Sequence, residues 1–283
     1  MGLTDARAYG VRLNVLGNSM SSFATRIQGP VAVIGDVHGQ IEKLDAILEQ
    51  LRRLPDYSRR WIVFIGDLVD RGTDPKAVLD RLLSLQREHP QTTSVIGNHE
   101  LAMAGALGLI PAPDYADWAT QWVQLYGVES TFESYGAPLG DVAALKEKLP
   151  AEHADFIANG PWVIEHPQAI FVHAGLDPNQ PLDLQLRILR QRDFTLNRPP
   201  WLCSKTFVED GVPADCPVMV VSGHVPVPEV IYRPNRLLID TTGGRGGDLS
   251  CVLLPELVLL TSANEPPRSL VEPEDVRPWW KFW

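Results

Sequence analysis

A chain of 283 residues, 45% hydrophobic and 21% charged, can bury one large core or two small ones, which excludes a mainly disordered protein. Its net charge of -10 excludes a strongly basic nucleic-acid surface, although an acidic chain still binds anions where metal ions invert the local charge. The 3 cysteines, Cys203, Cys216 and Cys251, form no C-x-x-C pair, so neither a zinc ribbon nor a disulfide framework is expected.

The cysteines read as reduced thiols, and the expected location is cytoplasmic. Met1 to Gly10 lacks the apolar run of a secretory signal, and Ala6 stands where a myristoylation signal needs Ser or Thr. The longest apolar run, near Leu101 to Pro113, is too short and too rich in Gly and Pro to span a bilayer. No membrane partner is expected.

In chain order, Pro30 to Ile34 predicts a buried strand and Gly35 to Gln40 a loop. Ile41 to Leu54 predicts a helix with Ile41, Leu44, Ile47, Leu48 and Leu51 on one face. Trp61 to Ile65 predicts a second strand, followed by a loop from Gly66 to Asp74. A second helix opens at Pro75, with Ala77, Val78, Leu82 and Leu85 as its apolar stripe. Thr92 to Ile96 predicts a third strand, followed by a helix. This βαβαβ order implies parallel strands, whose ligand sites lie beyond their C-terminal ends.

Residues 112–160 predict a helical insert without a chemical motif. Its Trp118, Trp122, Tyr126, Phe132 and Tyr135 read mostly as core, with a substrate-shaping cap as the sharper reading. Six short strands are predicted after it: Ala169 to Val172, Val218 to Val221, Val230 to Tyr232, Leu237 to Ile239, Ser250 to Leu254 and Leu257 to Leu260. They would form an antiparallel sheet facing the first. Residues 263–283 read as a surface tail ending in Trp279-Trp280-Lys281-Phe282-Trp283.

Five short segments carry the chemistry. They are Gly35-Asp36-Val37-His38-Gly39, Gly66-Asp67-Leu68-Val69-Asp70-Arg71-Gly72, Gly97-Asn98-His99-Glu100, Val172-His173-Ala174-Gly175 and Ser222-Gly223-His224-Val225-Pro226. Each follows a strand signal and brings Asp, Asn or His to a strand end beside glycine. Oxygen and imidazole ligands of this kind suit manganese, iron or zinc. Singly, Asp67 could be a helix cap, and His173 or His224 a hydrogen-bonded core histidine. Five such segments in order point to a metal centre.

These blocks resemble the PPP-type serine/threonine phosphatases of the calcineurin-like metallophosphoesterase superfamily. GDVHG, GDLVDRG and GNHE carry the likeness, which continues through VHAGL, GHVP and Asp240-Thr241-Thr242-Gly243-Gly244. The stretch Leu145 to Pro161, containing LPAEHADFIANGP, is similar to compact bacterial members. The resemblance implies an α/β sandwich of two mixed β-sheets flanked by helices, with a helical cap. It implies one domain over residues 1–283, with a core at 30–262.

It also implies roles. Asp36 and His38 would hold one metal ion, Asp67 would bridge two, and Asn98, His173 and His224 would complete the second site. Manganese is the expected metal, with iron or zinc compatible. His99 would be the general acid, oriented by Asp70, and Arg71 would grip the phosphate. A second phosphate-binding arginine is expected in a W-I-R-[DE] stretch between the last two histidines. Leu189-Arg190-Gln191-Arg192-Asp193-Phe194 occupies that region without the tryptophan, giving Arg192 as first choice and Arg190 as reserve.

The chemistry agrees with these roles. Two ions clamp both sides of an in-line displacement and activate water for direct attack. The fork of arginine matches phosphate oxygens, and an imidazolium paired with a carboxylate can protonate a leaving alkoxide. The expected reaction is hydrolysis of phosphoproteins or small phosphomonoesters. The alternative enzyme is a symmetric diadenosine tetraphosphate hydrolase, which as a group tends to lack the second Asp of GDxVDRG, present here as Asp70. An inactive phosphate-binding module is the non-enzyme alternative. No expected ligand is lost, which disfavours it. His89, His153 and His166 read as surface residues, and Glu100 as a cap behind the site.

Overall fold

Short apolar runs form the central strands because both of their faces are covered. Val31–Ile34 (β1), Trp61–Phe64 (β2) and Thr92–Ser94 (β3) pair in parallel, with Val33 opposite Val63 and Val63 opposite Thr93. The computed structural model describes residues 23–111, 116–196 and 198–271. The aromatic stretch Trp279 to Trp283 and the first 22 positions lie outside the described residues.

The crossovers are Ile41–Arg52 (α1) and Pro75–Glu88 (α2). α1 buries Leu44, Ile47, Leu48 and Leu51, the stripe its 3.6-residue period requires. α2 begins where the Asp74 carboxylate accepts the Ala77 N–H, with Pro75 in the first turn. Asn98–Ala106 (α3) follows β3 directly. The insert is helical as expected, with Trp118–Leu125 (α4), Glu129–Ser134 (α5), Val142–Lys148 (α6) and Ala151–Asn159 (α7). Asp117 and Asp141 cap α4 and α6.

The second half contains Val163–His166 (β4), Ala169–Val172 (β5), Leu182–Gln191 (α8), Pro200–Cys203 (α9) and Met219–Ser222 (β6). Ile231–Arg233 (β7), Arg236–Leu238 (β8), Ser250–Leu254 (β9), Val258–Thr261 (β10) and Arg268–Ser269 (β11) complete it. The first sheet runs β11-β10-β9-β1-β2-β3 and the second β4-β5-β6-β8-β7.

Two expectations are corrected. The second sheet is mixed rather than antiparallel, because the long α8–α9 connection lets β6 return parallel to β5, and β8 also lies parallel to β6. The last two predicted strands join the first sheet instead. β9 is buried along its whole length, and it finds cover on both sides between β1 and β10. β4 and α8 were not among the predicted elements.

Strand alternation then divides the core. Val31, Val33, Val63 and Ile65 face Phe171, Val221, Leu237 and Ile239 between the sheets. Ala32, Ile34, Ile62 and Phe64 face the helices. Each fully buried apolar side chain contributes roughly 1.5–3 kcal/mol. The result for function is positional: the loops after β1, β2, β3, β5 and β6 all leave from C-terminal strand ends. Among the described residues no helix is long and apolar enough to cross a membrane.

Candidate metal centre

The strand-end loops turn so sharply that five of the predicted site residues on them have positive φ. These are His38 (45°), Asp67 (50°), Asp70 (67°), Arg71 (69°) and His224 (70°). Such backbone is rare outside glycine and costs on the order of 1 kcal/mol or more per residue. Hydrogen bonds hold it in place. His38 N–H donates to Asp67 O at 2.8 Å and Gly39 N–H to Leu68 O at 2.8 Å. The buried Glu100 carboxylate accepts the N–H groups of Gly97, Leu68, Asp67 and Val69 at 2.7, 2.7, 2.9 and 3.1 Å. It therefore caps α3 and fixes the Asp67 loop from behind, as expected.

Glycine makes room for the ligands at two points. A Cβ on Gly97 would lie 2.1 Å from Asp67 Oδ1, and one on Gly223 would lie 1.8 Å from Asp36 Oδ1.

Two sets of ligand atoms emerge, His38 with Asp67 and His99, and Asp67 with His173 and His224. Within each set the atoms lie within 4.8 Å of one another. Asp67 is common to both, as a bridging ligand would be. Asp67 Oδ2 lies 3.3 Å from His173 Nε2 and 3.5 Å from His38 Nε2. Asn98 Oδ1 is 3.1 Å from His173 Nε2, beside the second set. Asp36 stands outside both sets, with Oδ2 accepting the His224 N–H at 2.9 Å. Among the described residues, Asp36 Oδ1 and both ring nitrogens of His224 are buried without a hydrogen-bond partner. Buried polar atoms of this kind cost free energy unless something coordinates them. Together with the Asp, Asn and His donor set, they fit a pair of divalent ions.

The charge pattern supports this. Burial alone would raise the Asp67 carboxyl, but His173, His99 and His38 around it hold it well below the usual range. Burial works against protonated His173, yet Asp67 and Asp36 push its pKa up to about 10. Its Nδ1 donates to Ile65 O at 2.8 Å and its Nε2 faces Asn98 Oδ1, so both nitrogens meet acceptors. Burial and the neighbouring His173 drive His224 down to about 3. Burial, then His99, push His38 well down. Its Nδ1 donates to Val69 O at 3.0 Å, which leaves the Nε2 lone pair beside Asp67 for an N–H donor or a cation. Burial and Asp240 raise Asp36 well above the usual carboxylate range.

His99 sits in a chain of hydrogen bonds. Its Nδ1 is 2.8 Å from Asp70 Oδ2, and its Nε2 is 3.0 Å from Arg71 Nη2. Arg71 Nη1 also donates to His38 Nε2 at 3.0 Å and to Gly243 O at 2.8 Å. The guanidinium thus covers the lone pair of His38 and would have to leave it before a metal bound there. The insert contributes two partners that its sequence did not reveal. Trp122 Nε1 donates to Asp70 Oδ2 at 3.0 Å, and Thr131 Oγ1 to Asp70 Oδ1 at 2.6 Å.

Above the centre lies a cleft of about 540 Å³, lined by Arg71, His99, Tyr126, Arg198, Lys205 and Arg245 among others. Arg192, the first choice for a second phosphate arginine, is not in this lining. Arg192 closes α8 in a left-handed conformation, φ 53°, and its Nη1 donates to Ala158 O at 3.0 Å beside a different cavity. The reserve, Arg190, is tied to Glu165 through Nε at 2.8 Å and Nη2 at 2.6 Å. Arg198 is the arginine between His173 and His224 that reaches the cleft. Its signal was Trp201, which follows it by three positions instead of preceding it. Trp201 O accepts the Ala174 N–H at 2.8 Å and anchors the segment beside His173.

Two histidines read as surface residues are buried instead. His89 is stacked on Tyr57 at 4.7 Å and bonded to Arg60 O at 2.8 Å. His153 accepts from the Tyr135 hydroxyl at 2.7 Å and donates to Asp80 Oδ1 at 3.0 Å. Only His166 remains partly exposed.

The calcineurin-like phosphoesterase family model matches residues 29–250. Bis(5'-nucleosyl)-tetraphosphatase, symmetrical, of Glaesserella parasuis is 28% identical over 166 residues, covering 58% of this chain and 51% of that protein. Serine/threonine-protein phosphatase SIT4 of Candida albicans is 29% identical over 166 residues, covering 58% of this chain and 45% of that one. The chain spans about half the length of the curated relatives it matches. The cold-active protein-tyrosine phosphatase of a Shewanella species shares the fold, with a TM-score of 0.62 at 17% identity, covering 88% of this chain and 83% of that one.

Because His173 is raised to about 10, it keeps its proton at neutral pH until a metal takes the lone pair. Metal binding should therefore release about one proton per chain between roughly pH 7 and 9, and affinity should rise with pH. Calorimetry with manganese in buffers of different ionisation enthalpy measures this directly. Heats independent of the buffer would show that His173 is already neutral.

Proposed function

The chain belongs to the calcineurin-like phosphoesterase family, and on that premise we propose that it hydrolyses phosphate esters with two metal ions that share Asp67. Asp36, His38 and Asp67 would hold one ion, and Asp67, Asn98, His173 and His224 the other. When bound, the ions supply positive charge to the phosphate oxygens and make water acidic enough to attack near neutral pH. The remaining work falls to the chain's own residues. Arg71 presents a planar fork to the phosphate. Once Arg71 turns from His99 to the phosphate, Nε2 of His99 would be free to carry a proton to the leaving oxygen, with Asp70 orienting the ring through Nδ1. Trp122 and Thr131 hold Asp70 in turn.

For the substrate we favour a dinucleoside tetraphosphate cut symmetrically. The observation that carries this reading is the lining of the cleft, where Arg71, Arg198, Lys205 and Arg245 gather around one metal centre. A single phosphoryl group does not need so many cations, whereas a polyphosphate chain spreads its charge along such a row. Tyr126, part of the same lining, offers a face for a base. The similarity to symmetrical tetraphosphatases points the same way. Manganese is the metal we propose.

The phosphomonoesterase expected from the sequence, acting on phosphoproteins or small monoesters, is the second reading. The specific observation in its favour is the Asp70–His99 hydrogen bond, built to protonate a poor leaving group. Similarity to serine/threonine phosphatases accompanies it.

The two readings separate on diadenosine tetraphosphate, a phosphoserine peptide and p-nitrophenyl phosphate, assayed with manganese after chelator treatment. The first predicts ADP as the main nucleotide product and a kcat/KM on the dinucleotide at least about tenfold above the monoesters. Preference for the phosphopeptide would establish the second reading, and no turnover of any substrate by metal-loaded protein would remove both.

Trp122→Phe keeps the ring and deletes the bond to Asp70. We expect kcat to fall about three- to tenfold, as for loss of one ordinary hydrogen bond, because Thr131 still holds Asp70, with KM little changed. The loss should grow as the leaving group becomes more basic. Equal loss on p-nitrophenyl phosphate and on alkyl phosphates would exclude a role through His99.

A further inference from the structure

A second cavity, of about 470 Å³, shares no lining residue with the metal cleft. It lies between the C-terminal ends of α7 and α8 and the start of β4. Its size falls within the range of small-molecule sites. Phe23, Phe156 and Trp162 form aromatic walls, the first two with ring centroids 4.9 Å apart.

Arg192 is the unusual member. Its backbone adopts a left-handed conformation that side chains seldom take, at the end of a helix where glycine is usual. The half-buried guanidinium makes one hydrogen bond among the described residues, to Ala158 O at 3.0 Å, and no ion pair. Burial pulls its pKa down, against the pull of Asp155. The adjacent Arg190, in the same lining, is fully engaged by Glu165. The acidic neighbour Asp155 is occupied by the Asn159 amide at 2.8 Å. A third group adds to this picture. Trp162 is 1% exposed, and its indole N–H has no acceptor among the described residues. Arg192 thus keeps unused donors beside flat apolar walls.

We propose that this cavity binds a small anion carrying an aromatic ring, with Arg192 holding the anionic group and Phe23, Phe156 and Trp162 flanking the ring. A bare inorganic anion would leave the aromatic walls uncovered, and a neutral aromatic would leave the guanidinium without a counter-charge. Two sources share the required chemistry, a nucleoside monophosphate and an aromatic carboxylate. The site is joined to the catalytic side of the molecule. Pro161 O accepts the Ile96 N–H at 2.9 Å, and a Cβ on Gly160 would lie 2.4 Å from Ile96 Cγ2. Ile96 directly precedes Gly97-Asn98-His99.

The test is calorimetric titration of the metal-free full chain with AMP and with phenylacetate. Wild type is compared with Arg192→Gln, Asn159→Trp and Arg71→Ala. We expect at least one probe to bind wild type and Arg71→Ala alike, and to bind both cavity variants at least about tenfold more weakly. Which probe binds identifies the source of the anion. Asn159 is exposed at the cavity rim, so Asn159→Trp blocks the opening without disturbing the core and decides the matter if Arg192→Gln fails to fold. Three outcomes overturn the proposal: neither probe binds, binding survives the cavity variants, or binding is lost only in Arg71→Ala, which would place the probe in the metal cleft.

Discussion

A carboxylate that is 2% exposed would ordinarily take up a proton, and Asp67 is kept from doing so by three imidazoles. That interaction organises the centre. The carboxylates hold His173 toward its protonated form, burial holds His38 and His224 toward their neutral ones, and Arg71 covers the Nε2 lone pair of His38. The backbone around Asp67 is bent accordingly. Four N–H groups turn toward Glu100, and Gly97 leaves the space that Asp67 Oδ1 occupies. Positive φ at five site residues is the conformational cost, concentrated where a fixed ligand geometry is needed.

The helical insert takes part in the same arrangement. Through Trp122 and Thr131 it anchors Asp70, and through Asp70 it orients His99, although none of the proposed metal ligands lies on these helices. Arg71 links the two halves of the site by bonding to both His38 and His99. In this position its guanidinium covers the Nε2 lone pair of His38.

The strand-end blocks were legible because their chemistry is local: Asp36, Asp67, Asn98, His173 and His224 each sit beside a strand whose apolar run marks its own end. Strand partners were less legible. Ser250 to Leu254 is apolar throughout, and nothing in such a run says whether its neighbour will be β1 or a strand of the second sheet. The arginines after His173 were hard to place for a related reason. Arg190, Arg192 and Arg198 all lie between the last two histidines, and only the fold sets the first two against another cavity and the third in the cleft. Trp122 looked like core, and it is core, at 0% exposed. Its indole N–H finds Asp70 only once the fold brings the two together. His89 and His153 looked solvated because their partners, Arg60, Tyr135 and Asp80, are distant in sequence.

The central claim is that one carboxylate serves two ions. It is tested most directly by counting metal, by plasma mass spectrometry of protein dialysed against manganese, in wild type and in Asp67→Asn. Two ions per wild-type chain, with both sites weakened together in the variant, is the predicted result. Retention of one ion at wild-type affinity in Asp67→Asn would contradict the account, because the two ligand sets would then be independent.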